Sequence, residues 1–167
     1  MKGEIAVICS RADPASLNIF ECLLKMQDWK PGEGYVFSGR WRLVIHEGKQ
    51  STLSRLDEML AARSLKPELI VFASRHEAKS ALPWLGGHFT GIMEEEKFSL
   101  SAAAPFALRS FLHNLREISL PGYALSAEAT HHGPADVTTP CFFAEIGSTE
   151  REWRDPQAGR AVARAIL

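Results

Sequence analysis

The chain has 167 residues, a formal net charge of −1, 46% hydrophobic residues and 23% charged residues. That is enough chain for one compact domain with its own core, and the ordinary composition excludes collagen, coiled coil and disorder. Near-neutrality excludes a strongly basic, non-specific nucleic-acid binder, and no apolar run approaches the ~18 residues of a membrane span.

In chain order, Glu4 to Cys9 ("EIAVIC") predicts a buried strand. Asp13-Pro14 then supplies an N-cap and a first-turn proline for a helix reaching about Met26, with Leu17, Phe20, Leu23 and Leu24 on one broad face. Tyr35 to Glu47 predicts a hairpin around Ser38-Gly39. Thr52 to Ala62 has helical spacing at Leu53, Leu56 and Leu60, and "ELIVFAS", Glu68 to Ser74, is the next strand. A polar loop holding Arg75, His76 and Lys79 follows, then an extended segment, Pro83 to Gly91, weakened by glycines. Pro105 starts a helix with Leu108, Phe111, Leu112, Leu115 and Ile118 on one face, stopped by Pro121-Gly122. Strands over Tyr123 to Ala127 and Cys141 to Ile146 come next, and Asp155-Pro156 opens the last helix. The alternation predicts a three-layer α/β/α domain, with helices on both faces of a mixed sheet of at least five strands.

Cys9, Cys22 and Cys141 form no CxxC pair and read as reduced core thiols. With no signal peptide at the N-terminus, a cytoplasmic location is expected.

"SRADPASLNI", "ASRHEAKS", "HFTG" and above all "EATHHGPADVTTPCFFAEIGSTEREWRDPQAGRAVARAIL" closely resemble the archaeal and plant type of D-aminoacyl-tRNA deacylase, along nearly the whole chain. The resemblance implies a hydrolase that cleaves the ester between a D-amino acid and the 3′ end of tRNA, uses zinc, and has a fold related to the phosphorylase and peptidyl-tRNA hydrolase group. Two motifs depart from the family: Ile92 follows "TG" where Asn is usual, and "WLGGH" replaces "LTVH". Family members also continue to a glycine-rich segment, "GGGHYAPR". The expectation is therefore one domain over residues 1–167, lacking the family's C-terminal part, that binds metal weakly and deacylates slowly or not at all by itself.

Hydrolysis of an aminoacyl ester needs an oriented water, a group that takes its proton and donors for the oxyanion. His131, His132 and Glu128 are the candidate catalytic residues, histidine because it titrates near neutrality. Adjacent residues on an extended chain point opposite ways, so one of the pair is expected to face the site, His131 being slightly favoured. A metal set is expected from His88, His131 and Glu128, with His132 as a further donor. Thr90 and Gly91 are candidates for an oxyanion or a terminal adenosine. Arg75, His76 and Lys79 are candidates for phosphates of the acceptor arm, and Trp84 for stacking on the terminal adenine. Glu145 interrupts an apolar strand. If its strand pairs with Tyr123 to Ala127, the simplest register puts Glu145 on the face away from Glu128 and in a separate cluster.

Two other readings stay open. "THHGP" is also a capped turn with both imidazoles bonded to main chain, and His88 after two glycines is also a plain bulge. The competing functions are a metal-independent peptidyl-tRNA hydrolase-like esterase and a non-catalytic module that grips tRNA ends.

Overall fold

A computed structural model describes residues 3–94 and 97–167. Its ten strands are β1 (Ile5–Ser10), β2 (Lys30–Pro31), β3 (Val36–Ser38), β4 (Trp41–His46), β5 (Leu69–Glu77), β6 (Trp84–His88), β7 (Gly91–Glu94), β8 (Lys97–Leu100), β9 (Ala124–Ala127) and β10 (Cys141–Ser148). The helices are α1 (Pro14–Met26), α2 (Leu56–Ala61), α3 (Pro105–Ile118), α4 (Glu150–Trp153) and α5 (Pro156–Ile166). Eight strands form one mixed sheet in the order β2-β3-β4-β1-β5-β10-β6-β9, and β7 and β8 form a separate hairpin. The run β4-β1-β5-β10 is parallel, and β6 lies antiparallel to β10 and parallel to β9.

Both Asp-Pro helix starts form as expected. Asp13 accepts from the Ala15 and Ser16 amides and Asp155 from the Gln157 amide, meeting donors that a helix N-terminus leaves unpaired. Strand alternation divides the core in two. Val7, Cys9, Val71, Ala73, Phe142, Ala144 and Ile146 pack under α1, α3, α4 and α5. Ala6, Ile8, Ile70, Phe72 and Phe143 pack on the other side with Leu56 and Leu60 of α2.

Three expectations are corrected. The helix expected over Thr52 to Ala62 is a 3₁₀ turn, Gln50–Thr52, followed by the short α2, because Arg55 between them takes a left-handed backbone (φ +55°). Strand β5 does not end at Ser74 but runs to Glu77, held by pairing of Arg75, His76 and Glu77 with Ile146, Gly147 and Ser148 of β10. Arg75 and His76 are thus strand residues, not loop residues. Finally, β9 does not pair with β10: β6 lies between them, its glycines allowing a buried central strand.

Candidate active site

The inserted β6 decides which side chains share a face. The register sets Glu145 opposite Ser74 on β5 and Gly86 on β6, Gly86 opposite Ser126 on β9, and Phe143 opposite His88. With the two-residue period of a strand, His76, His88, Phe143, Glu145 and Ser126 all project from one face. Glu128, just past β9 and held by its amide to Gly87 O, joins them. Glu145 therefore belongs to the histidine site, and its expected separation from Glu128 is overturned.

His88 is fully buried and stacks on Phe143 (ring centroids 5.0 Å apart) and on His131 (4.1 Å), while His132 meets it edge-on at 4.8 Å. Both histidines of the pair face this centre. His132 has a left-handed backbone (φ +40°), so the extended-chain expectation of opposite directions does not apply. All three rings are fixed alike: Nδ1 lies 2.7 Å from Phe89 O in His88, 2.8 Å from Ala129 O in His131 and 2.8 Å from Gly133 O in His132. A carbonyl oxygen only accepts, so each Nδ1 carries the proton and each Nε2 is left for the site. The main-chain bonding foreseen for a plain turn is present, and it orients the rings as metal-ligating histidines are oriented.

The acidic side adjoins it. Glu145 is 1% exposed, and neither of its oxygens has a hydrogen-bond partner among the described residues. His88 Nε2 lies 3.5 Å from Glu145 Oε2 without hydrogen-bond geometry. His76 Nδ1 is 3.1 Å from Glu128 Oε2 and 4.0 Å from Glu145 Oε2. Burial pushes the His88 pKa down, but the facing Glu145, the Phe89 carbonyl and Glu128 together raise it above its ordinary value. Burial dominates at His132 and lowers it. Gly147 makes room for this arrangement, since a Cβ there would lie 2.7 Å from His76 Cδ2.

The other expected residues divide. Thr90 and Gly91 are bonded to the histidine segment: Thr90 Oγ1 donates to Pro134 O, and the Gly91 amide donates to His132 O. Trp84 is no platform for a base, being 7% exposed with Nε1 bonded to Ser126 Oγ and its ring 4.6 Å from His76. Arg75 lies over the Trp153 ring (4.8 Å) and lines a cavity of about 330 Å³ that also reaches His76, His131, His132 and Glu145. Lys79 sits in an exposed turn outside that cavity.

Among the described residues two sets of three side chains could hold a cation: His88, His131 and His132, and His76, Glu128 and Glu145. Within each set the ligand atoms lie within 4.8 Å of one another. Three uncommitted Nε2 atoms and buried, unpartnered oxygens on Glu128 and Glu145 fit the donor chemistry of zinc.

Fold and site together define a layered α/β domain with a histidine-carboxylate centre at one face of its sheet. The family model for D-aminoacyl-tRNA deacylase matches residues 63–167. The D-aminoacyl-tRNA deacylase of Methanothrix thermoacetophila is 50% identical over 165 residues, covering 99% of this chain and 62% of the relative. That of Methanococcoides burtonii is 40% identical over 180 residues, covering 98% of this chain and 38% of the relative. The crystal structure of AF0625, a conserved protein of unknown function, superposes with a TM-score of 0.90 at 31% identity, over 98% of this chain and 62% of that one. The structure of CT263 (MTAN) from Chlamydia trachomatis (TM-score 0.52, 11% identity, over 99% of this chain and 96% of that one) shares the fold alone. The chain belongs to the D-aminoacyl-tRNA deacylase family, and spans less than two thirds of the length of these family relatives.

Proposed function

We propose that this chain carries the hydrolytic centre of a D-aminoacyl-tRNA deacylase, which cleaves the ester between a D-amino acid and the 3′ end of tRNA. The observation that carries this reading is Glu145, a carboxylate buried in the sheet with both oxygens unpartnered, beside three imidazoles with free Nε2 atoms. Burying such a group without partners is costly, and a ligand or a reaction that uses it accounts for its retention.

Glu145 accepts the proton of the attacking water as the water oxygen bonds to the ester carbonyl carbon. His76, whose Nδ1 lies 4.0 Å from Glu145 Oε2 and 3.1 Å from Glu128 Oε2, takes that proton from Glu145 and delivers it to the leaving 3′ oxygen as the ester C–O bond breaks. Zinc would be held by Nε2 of His88, His131 and His132, and when bound would acidify a water and polarise the ester carbonyl. Burial holds the His132 pKa below its ordinary value, favouring the uncharged form a ligand needs, whereas Glu145 and Glu128 raise that of His88. Work on tRNA would place the protein in the cytoplasm, and no helix of the described residues is long and apolar enough to cross a membrane.

The test is hydrolysis of D-tyrosyl-tRNA with and without a chelator, alongside metal analysis of the same samples. Loss of zinc and of rate together is expected. Unchanged rate in demonstrably zinc-free protein would favour the metal-independent esterase. Retained tRNA binding with no turnover would favour the non-catalytic module. Adding the portion of the longer relatives that lies outside the aligned region, as a separate chain, is expected to raise the rate.

A further inference from the structure

The cavity beside Glu145 extends to the carboxyl ends of β1 and β5. The chain leaves β1 for β4 on one side and returns to β5 on the other, so strand order reverses between β1 and β5. In open α/β sheets ligands sit outside the strand ends at such a point. Gln50, in the turn before α2, spans this crevice. Its Nε2 donates to Ile8 O of β1 (3.0 Å) and to Ala73 O of β5 (2.7 Å). Only the NH₂ end can satisfy two carbonyls, so the amide orientation is fixed. Gln50 is 4% exposed, lines the cavity, and its Oε1 has no hydrogen-bond partner among the described residues.

The surroundings select the donor that Oε1 would meet. Asp13, next to it, is fully used: Oδ1 accepts from the Ala15 and Ser16 amides and Oδ2 from the Arg75 amide and Ser74 Oγ. The cations on this wall are Arg75 and Lys49, with Glu77 at the rim 4.0 Å from Arg75. This wall, with a neutral acceptor, two cations and the carboxylates of Asp13, Glu77 and Glu145, offers both an acceptor for an N–H group and partners for an anion. It suits a ligand with a neutral N–H donor and a negative group, as in a nucleotide bearing an exocyclic amine. A volume of about 330 Å³ lies at the small end of ligand pockets and suits one nucleoside.

We propose that this crevice is the subsite for the 3′-terminal adenosine of tRNA. Gln50 Oε1 accepts from the adenine N6 amine, Arg75 and Lys49 meet the phosphate on the 5′ side, and the aminoacyl ester on the ribose is directed towards Glu145. The proposal rests on the deacylase reading for the carrier of the adenosine, but not for the nucleotide itself.

Titration with adenosine 5′-monophosphate and inosine 5′-monophosphate, followed by ligand-detected NMR, tests it, because inosine replaces the N6 amine by an acceptor oxygen. The wild-type protein is expected to bind the adenosine form at least about tenfold more tightly, and Gln50→Leu to bind both at the weaker level. Arg75→Ala should weaken both alike and leave their ratio unchanged, which keeps a second readout should Gln50→Leu not fold. Equal affinities in the wild type, no adenosine signal, or an undiminished preference in Gln50→Leu would overturn the subsite. If D-tyrosyl-tRNA is still hydrolysed in that case, the deacylase reading stands. Preference for the adenosine form without any hydrolysis, even with the remaining portion of the longer relatives added, sinks the deacylase reading and leaves the subsite.

Discussion

The two faces of the sheet use the same strands differently. One is sealed by α1, α3, α4 and α5 over Phe142, Ala144 and Ile146. The other is covered by the six-residue α2 only towards β1 and β5, and at β10, β6 and β9 it carries Glu145, His88 and, next to them, Glu128. Along β10, successive residues therefore serve stability and chemistry in turn. Substitutions one residue apart should separate the two.

The largest effect expected is on the site face. Glu145→Gln should slow D-aminoacyl ester hydrolysis about a thousandfold or more, since groups that act as a unit fail together. Its melting temperature should stay level or rise, because a buried carboxyl without hydrogen-bond partners is replaced by a neutral amide of the same shape. A melting temperature that falls together with the rate would make Glu145 a structural residue. One position on, Ile146→Ala should do the reverse, costing ~2–5 kcal/mol in urea denaturation while the folded fraction keeps its turnover. Gly147→Ala sharpens the comparison. It presses a methyl onto His76 and should lower the rate up to about a hundredfold by misplacing that ring, with about 1–3 kcal/mol of destabilisation. The smallest effect concerns thiols. Burial raises the pKa of Cys9, on the helix face, and pushes Cys141, on the other, up to about 11. Both should resist thiol reagents at pH 8, leaving the half-buried Cys22, whose pKa burial also raises, to react first. Fast modification of Cys141 alone would mean that the site face opens further into the core than its burial implies.

The helix starts at Asp13 and Asp155 and the strand-helix alternation were legible because caps and periodicity are local signals. His88, His131, His132 and Glu128 were legible as polar residues at strand ends. Glu145 was visible as a carboxylate in an apolar strand, yet its face depends on which strand lies beside β10. The insertion of β6 is a long-range pairing that no local pattern reports. His76 reads as a loop residue because its strand turns polar after Ala73, although Phe72, Ser74 and His76 already alternate towards one face. Gln50 carried no local signal, since its meaning comes from carbonyls on two strands that meet only in the fold.

Single-turnover hydrolysis of matched D- and L-tyrosyl-tRNA by the wild-type chain and by Glu145→Gln tests the central claim most directly. The account predicts that the wild type, slow by itself and faster with the remaining portion of the longer relatives added, clears the D ester and spares the L ester, and that Glu145→Gln clears neither. Equal clearance of both esters by the wild type, or a Glu145→Gln protein as fast as the wild type, would contradict it.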